Sequence, residues 1–220
     1  VEPVFVADYL NGYDVASLWD HTAMFFYTET SQAFQTGTRN WMVCLAVQFK
    51  DTTDVKPVFA KSFTNLDLLI TVDASDDLIW NDSSSDTQVT GATGIVMEDW
   101  NILTFFENGT SGFGFRINGE SQMVGSRGSD HNLDTNNPFL LGGTAEVGSR
   151  GTDYQGKGLW RSPEFLALKA SGQVSTVADW ENLEGYFAHK YDLTSVLPAG
   201  HTYKSTAPTV AKMTNTDWGS

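Results

Sequence analysis

The chain has few of the features that mark disulfide-stapled, nucleic-acid-binding or membrane-spanning proteins. It contains one cysteine, Cys44, in 220 residues, so no disulfide can form within the chain. Its 13 basic residues are outnumbered by 27 acidic ones, and a net charge of −14 repels phosphate backbones and anionic membrane surfaces. No apolar run reaches about 18 residues, so no membrane span is predicted. We therefore expect neither nucleic acid nor a membrane as a partner.

The sequence also lacks the motifs of common catalytic sites. No G-x-S-x-G elbow, P-loop or zinc-ligand spacing is present. A retaining glycosidase needs two carboxylates about 5 Å apart, often from alternate positions of one strand, whereas Glu98-Asp99 and Asp76-Asp77 are adjacent. The chain has four histidines, none in a recognisable acid–base constellation: His21, His131, His189 and His201. We predict no catalytic residues and no enzymatic activity.

What the sequence does contain is a series of short β-type runs with 13% aromatic residues. Trp41–Phe49 is a β-rich, largely apolar run that predicts a buried strand, and Trp100–Glu107 is bulky enough for a core strand. The Asn-Gly pair at 118–119 lies between strand-like runs and predicts a tight type I′ hairpin. Leu159–Ala170 resumes strand character, with a bend or edge position at Pro163. These patterns predict an all-β, two-sheet antiparallel sandwich.

A single helix is predicted at residues 174–191, near the end of the chain. Large apolar side chains fall there at helical spacing and form one stripe: Trp180, Leu183, Phe187 and Tyr191. We expect this stripe to cover the sandwich, because burying each large side chain stabilises the fold by about 1.5–3 kcal/mol. Pro198 stops any continuation, and an extended tail is expected over 192–220. Residues 1–220 are interpreted as a single domain, in which the segment before Trp41 either completes the sandwich or mediates assembly.

Five short motifs occur in the order typical of one fold family: "FAK", "WNILTFF", "GFRINGE", "PFLLGG" and "GLWRSPEFLAL". This order resembles the concanavalin A-like, laminin-G-like jelly roll. The resemblance spans about residues 41–170 and implies a jelly-roll sandwich with the helix strapped onto it. Because one fold hosts many functions, it does not by itself assign an activity.

The segment "LEGYFAHKYDLTSVLPAGHTYKSTAP" resembles a closing segment found after laminin-G-like domains in tailed-phage virion proteins and in environmental bacterial proteins. Two positions depart from that pattern, Asp192 where glycine is frequent and Thr202 where proline is frequent. The likeness is carried by Glu184, Gly185, Tyr186, Ala188, His189, Lys190, Leu193, Leu197, Pro198, His201, Tyr203 and Lys204.

The tail resemblance implies a non-enzymatic structural or attachment protein of a phage-like virion, either a capsid decoration or a tail or fibre component. Its partners would be other virion or shell proteins, copies of itself and a host-surface glycan, and its location the virion. One alternative is an extracellular carbohydrate-binding module of a secreted bacterial protein. Another is a polysaccharide-degrading enzyme whose acid and base come from separate strands.

Two groups of residues are candidate ligand sites. Sugar binding uses an exposed ring with amides and carboxylates nearby, a combination that Trp80, Asn81 and Asp82 could supply, together with Arg150 and Tyr154. Trp80 is the one tryptophan that borders a long polar loop, although it could instead pack in the core. Four further tryptophans lie in apolar elements and are expected to be buried: Trp41, Trp100, Trp160 and Trp180.

The loop "DHNLDTNN" places oxygen ligands at alternate positions, namely Asp130, Asn132, Asp134 and Asn136. Calcium takes oxygen ligands from loops of this composition, and it is the one cofactor that the sequence suggests. However, Thr135 occupies the position where an EF-hand has glycine, and no glutamate closes the loop. The alternative is a turn-rich loop stabilised by Asx caps.

Overall fold

A computed structural model describes residues 4–17, 26–27, 40–62, 66–82, 87–90, 94–108, 112–125, 139–142, 159–169 and 177–209. These ranges contain one α-helix, α1 (Val177–Lys190), and a 3-10 helix at Thr194–Val196. The strands of the same ranges are β1 (Val4–Leu10), β2 (Tyr13–Ser17), β3 (Phe26–Tyr27), β4 (Asn40–Phe49), β5 (Lys56–Ser62), β6 (Leu66–Val72), β7 (Leu78–Asp82), β8 (Thr87–Thr90), β9 (Trp100–Asn108), β10 (Gly112–Ile117), β11 (Glu120–Gly125), β12 (Phe139–Leu141), β13 (Trp160–Ser162) and β14 (Phe165–Lys169).

The strands form two antiparallel sheets packed as a jelly-roll sandwich, which confirms the predicted fold class. The larger sheet has the order β1-β2-β13-β4-β9-β10-β11, and β14 also pairs with β4. The smaller sheet has the order β3-β12-β5-β6-β7-β8. β1 and β2 extend the larger sheet through β13, so these described strands of the N-terminal segment complete the sandwich.

The strand β4 is apolar from Trp41 to Val47 because both of its faces are buried there. Successive side chains of a strand point to opposite faces. Trp41, Val43, Leu45, Val47 and Phe49 therefore face the interior between the sheets. The alternate residues Met42, Cys44 and Ala46 face the outer side of the larger sheet, which is covered by α1. The continuous apolar run is thus explained by two cores that share one strand.

Aromatic rings fill the interior of the sandwich. Trp41 stacks on Trp80 with ring centroids 5.6 Å apart, and Trp80 contacts Phe113 at 5.0 Å. The indole N–H of Trp41 donates to the Glu107 carboxylate (2.7 Å), and that of Trp160 donates to the Pro57 carbonyl (2.7 Å). Buried indoles need such partners because an unpaired buried donor is costly.

The helix α1 covers the outer face of the larger sheet with the predicted stripe. Trp180, Leu183, Phe187 and Tyr191 are all buried, and Trp180 stacks on Phe106 with centroids 3.8 Å apart. No helix in the described part of the chain is long and apolar enough to cross a membrane.

The helix ends in a turn that explains one departure from the resembling segment. The Leu193 N–H donates to the Ala188 carbonyl (2.7 Å), and Asp192 between them has φ of +58°. This is the geometry of a Schellman cap, whose left-handed position usually holds glycine. Aspartate is among the side chains that tolerate it best, so the cap forms despite the substitution.

Several predicted boundaries differ from those observed. The predicted strand at Leu159–Ala170 is two strands, β13 and β14, separated by the bend at Pro163. α1 spans 177–190 rather than 174–191, and residues 174–176 lie outside the described ranges. An extended tail was predicted from residue 192, but residues 192–209 contain the 3-10 helix and turns. The tail folds back because Lys204 Nζ donates hydrogen bonds to the carbonyls of residues 194, 195 and 197. The Asn118-Gly119 hairpin is confirmed, with φ of +53° and +83°.

Candidate functional site

An irregular hairpin at the edge of the larger sheet presents an exposed tyrosine. β1 and β2 pair from Val6↔Val15 directly to Leu10↔Tyr13, so three residues of β1 oppose one residue of β2. Within this bulge Asp8 has φ of +50°, and its backbone N–H donates to the Asp14 carboxylate (3.2 Å). Bulges redirect side chains at sheet edges and beside functional sites. Here the bulge leaves the Tyr9 side chain 40% exposed.

The side chains beneath Tyr9 form one row across four strands of the larger sheet. Ser17 of β2 pairs with Arg161 of β13, Arg161 pairs with Gln48 of β4, and Gln48 pairs with Trp100 of β9. Side chains two residues apart in a strand share a face, so Gln48 lies on the same face of β4 as Met42, Cys44 and Ala46. The row therefore lies on the outer face of the sheet. Adjacent strands are about 4.8 Å apart, and the row therefore spans about 14 Å. We call Tyr9 and this row the Tyr9 patch.

Hydrogen bonds and ring contacts fix the geometry of the Tyr9 patch. The Arg161 guanidinium lies over the Tyr9 ring at 4.7 Å from its centroid and donates to the Tyr9 hydroxyl and to Ser17 Oγ (3.2 Å). The Trp100 ring meets the Tyr9 ring edge-on, with centroids 6.3 Å apart. Gln48 Nε2 donates to the Glu98 carbonyl (2.6 Å), which ties the floor of the patch to the loop before β9. The exposed ring is therefore held rather than free to rotate.

The Tyr9 patch has the chemistry of a polar-rimmed aromatic platform. An exposed tyrosine ring offers a flat apolar surface for the C–H groups of a ligand, with a hydroxyl at its end. Four exposed acidic residues flank the patch along the chain, Asp8 and Asp14 in the hairpin and Glu98 and Asp99 before Trp100. Ionised carboxylates only accept hydrogen bonds, so the rim suits a ligand that carries donors.

A second polar cluster lies where α1 meets the sheet and is centred on Lys190. Its ammonium group donates to Glu164 (2.8 Å) and to the Tyr186 hydroxyl (2.7 Å), and it lies over the rings of Tyr13 and Tyr191. Partial burial opposes the charge, yet the hydrogen bonds with Glu164 and the tyrosines raise the pKa of Lys190 above its ordinary value. Burial, reinforced by a hydrogen bond to Glu164, raises the pKa of Tyr191. The Lys190 ammonium itself fills the space among these rings, which indicates a structural role.

A third cluster is fully buried and joins the helix, the sheet and the tail. Arg116 Nε and Nη2 donate to the two Glu184 oxygens (2.7 and 3.1 Å), and His201 Nε2 lies 3.0 Å from Glu184 Oε2. Because His201 Nδ1 accepts the Tyr203 backbone N–H (3.1 Å), Nε2 carries the proton and donates to Glu184. Burial favours protonation of Glu184, but the bonds from His201 and Arg116 hold its pKa below the ordinary value.

The tail residues that carry the family resemblance are largely those of this packing. A Cβ on Gly185 would lie 2.5 Å from Tyr203 Cβ, so only glycine allows the tail to approach α1 so closely. His189 Nε2 donates to the Tyr203 carbonyl (2.8 Å). Lys204 Nζ donates to the carbonyls of Thr194, Ser195 and Leu197. Most of the resembling segment thus belongs to a structural strap, which we define as α1 and the tail that packs on it, residues 177–204.

Three of the sequence-predicted site residues lie in β7, and the structure does not describe the others. Trp80 is fully buried in the sandwich core, where it stacks between other rings, so it presents no platform to a ligand. Asn81 and Asp82 belong to β7. The remaining candidates lie outside the described residues: Arg150, Tyr154, Asp130, Asn132, Asp134 and Asn136. Among the described residues, no group of His, Cys, Asp and Glu side chains is arranged to hold a metal ion.

Sequence reasoning missed the Tyr9 patch. Trp100 was expected in the core or under the helix, and it is half-buried at the end of β9, where it packs against the cluster that α1 covers. The one sequence feature that could have indicated the patch was Gln48, a polar residue in β4 at the position after the outward-facing Met42, Cys44 and Ala46. Cys44 is buried, and burial raises the pKa of its thiol.

No protein-family model matches the chain, and no curated protein matches it. Solved structures do resemble its fold. The binding domain of Paraclostridial Mosquitocidal Protein 1 superposes with a TM-score of 0.62 and 11% identity, over 84% of this chain and 46% of that one. The receptor binding domain of botulinum neurotoxin mosaic serotype C/D has a TM-score of 0.57 and 9% identity, over 83% and 44%.

A third structure with this fold comes from work on botulinum neurotoxin type C, whose cell entry is dependent upon interaction with two ganglioside molecules. It has a TM-score of 0.57 and 7% identity, over 82% of this chain and 44% of that one. This chain spans less than half the length of each of these three solved proteins. At such low identity the likeness establishes the fold: the chain is a β-sandwich of the kind found in these toxin binding domains.

Proposed function

We propose that this chain is a non-enzymatic binding domain that recognises a glycan through the Tyr9 patch. The observation that carries the proposal is the exposed Tyr9 ring, held in place by Arg161 and Trp100 above a polar cross-strand row. A ring that is already ordered loses little conformational entropy when a ligand stacks on it. Two of the similar solved structures are described as a binding domain and a receptor binding domain, and the third comes from work on a toxin whose cell entry depends on gangliosides, which supports a glycan as the ligand class.

The buried acid–base pair of Glu184 and His201 is engaged in packing and does not face the Tyr9 patch. Glu184 and His201 are buried together beneath the strap, and their hydrogen bonds are directed to Arg116 and Tyr203. General acid–base catalysis requires a group within hydrogen-bonding reach of a substrate. The exposed carboxylates at the Tyr9 patch are suited instead to accept hydrogen bonds from sugar hydroxyls.

A glycan array followed by isothermal titration with the best ligand tests the proposal. Tyr9→Ala removes the stacking surface, which contributes about 1.5 kcal/mol, so we expect the dissociation constant to rise about tenfold. Tyr13→Ala is the matched control, because Tyr13 is 42% exposed on the same hairpin but contacts Tyr191 and Lys190 rather than the row. An array without any bound glycan, or equal losses in the two variants, would rule out this site.

The resemblance of the strap to phage virion proteins supports a setting for this binding: an attachment component of a phage-like particle. In that setting the domain would contact neighbouring shell or tail proteins and a glycan of the host surface. Mass spectrometry of purified particles from the source organism tests this placement. Peptides of this chain that sediment with intact particles would support it, whereas recovery only in the free secreted fraction would favour the extracellular carbohydrate-binding module.

A further inference from the structure

The Tyr9 patch lies in a locally negative environment. Asp8 is next to Tyr9, and Asp14 accepts the Asp8 backbone N–H. Glu98 and Asp99 precede Trp100, and the Glu98 carboxylate accepts the Asp51 N–H (2.9 Å). All four carboxylates are exposed, and the whole chain carries a net charge of −14. An anionic ligand approaching the ring would therefore be repelled both locally and by the protein as a whole.

The cation of the patch is directed toward the protein. The Arg161 guanidinium lies over the Tyr9 ring, and its Nε and Nη1 donate to Ser17 Oγ and to the Tyr9 hydroxyl. A carboxylate or sulfate group of a sugar is bound most strongly by two parallel donors of one guanidinium. At least two of the five N–H donors of Arg161 are therefore engaged within the patch, and turning the guanidinium toward an acidic group would break the contacts that hold the ring of Tyr9.

The rim also has the wrong hydrogen-bonding polarity for an acidic sugar. Ionised Asp and Glu side chains accept hydrogen bonds and donate none. The hydroxyl groups of a neutral sugar can donate to them, whereas an ionised carboxylate or sulfate cannot. Both the charge and the acceptor-rich rim therefore favour the same kind of ligand.

We infer that the glycan recognised at the Tyr9 patch is one without acidic groups at the residues that contact the protein. This inference rests on the proposed function and specifies its ligand class. It separates the chain from binders of sialylated or sulfated glycans, although one of the structurally similar toxins depends on gangliosides.

Paired oligosaccharides that differ by one acidic group test the inference. The first pair is a ganglioside headgroup and its desialylated form, and the second is a galactose oligosaccharide with and without a sulfate. In low salt, of about 20 mM, we expect each acidic member to bind about threefold or more weakly than its neutral partner. In about 1 M salt the Debye length falls to about 3 Å, and the difference should largely disappear.

Removal of the rim charges should reduce that discrimination without loss of the neutral ligand. The test variant combines Asp8→Asn and Glu98→Gln, which keep the size of each side chain, and asparagine tolerates the left-handed backbone at position 8. Glu120→Gln is the matched control, since Glu120 is an exposed carboxylate on β11, at the opposite edge of the same sheet from β1. In low salt, we expect the ratio of the dissociation constants of the acidic and neutral members to fall toward one in the Asp8→Asn, Glu98→Gln variant and to stay unchanged in Glu120→Gln.

The outcomes distinguish the inference from the function on which it rests. Acidic members that bind as tightly as their neutral partners, with sensitivity to Tyr9→Ala, would overturn the inference and leave glycan binding in place. Binding of neither member of any pair across an array would overturn the proposed function itself. If the double variant Asp8→Asn, Glu98→Gln leaves the ratio of acidic to neutral dissociation constants unchanged, these two carboxylates do not set the preference for neutral sugars.

Discussion

Replacement of Glu184 by glutamine measures how strongly the buried ion pair holds the strap on the sheet. The Glu184 carboxylate is inaccessible to solvent and accepts hydrogen bonds from Arg116 and His201. Glutamine keeps the shape and one acceptor oxygen but removes the charge, which leaves the 5% exposed Arg116 without its counter-ion. Loss of one member of a buried pair costs about 3–5 kcal/mol. Because the amide oxygen can still accept a bond, we expect about 3 kcal/mol for Glu184→Gln, at the lower end of that range.

Urea denaturation followed by circular dichroism provides the assay, and an unchanged slope would show that the denatured state is unaffected. For a chain of this size the expected loss corresponds to a fall of about 6–12 °C in Tm. Glu181→Gln is the control, because Glu181 lies on the same helix and accepts a hydrogen bond from Thr202 at the surface. That change should cost no more than about 1 kcal/mol. Equal stabilities of the two variants would contradict the role assigned to Glu184.

The same variant should alter the response of the protein to acid. The folded state holds the pKa of Glu184 below its ordinary value of 4.5. Its contribution to the free energy of unfolding is therefore fully present above about pH 4.5 and is lost as the pH falls through the folded pKa. The stability difference between wild type and Glu184→Gln should shrink in that range. A difference that stays constant from pH 7 to about pH 3 would contradict the direction of the shift.

Two further changes test the packing of the strap. Gly185→Ala places a Cβ 2.5 Å from Tyr203 and should destabilise the protein by about 1–3 kcal/mol. Gly200→Ala is the control and should be close to neutral, because no atom lies within 4 Å of the new methyl group. Equal urea midpoints for the two variants would contradict the close approach of the tail to α1. Tyr191→Phe removes a phenol whose pKa is raised by burial and by Glu164. The unfolded chain loses this proton near pH 10.0 while the folded protein retains it, so the wild type should lose more stability than the variant as the pH rises above 10.0. Urea midpoints at about pH 9 and 11 measure the difference.

Much of the fold was predictable because its signals are local. The run Trp41–Phe49, the Asn-Gly pair at 118–119 and the spacing from Trp180 to Tyr191 each reflect a short-range backbone or packing requirement, and the structure confirms all three. The partners of Glu184 were not predictable. Arg116 is 68 residues distant in sequence and belongs to a strand, and no spacing rule connects the two.

The candidate site could not be predicted from local sequence signals either. The sequence left Trp80 open as either a sugar platform beside a polar loop or a core side chain, and the smaller sheet turns it inward against Trp41. Tyr9 gave no comparable signal. Its exposure depends on the bulge of β1 against β2, and its fixed position depends on Arg161 and Trp100, which are distant from it in sequence.

The sequence by itself determined the β-sandwich class, the aromatic interior, the closing helix and the acidic surface, because periodicity, turn residues and charge act over a few positions or over the whole composition. Only the tertiary structure decided which residues share a surface. The row of Ser17, Arg161, Gln48 and Trp100 exists because strands far apart in sequence pair in one register. That register is set by which faces the two cores bury, and it assembles the Tyr9 patch from four separate segments of the chain.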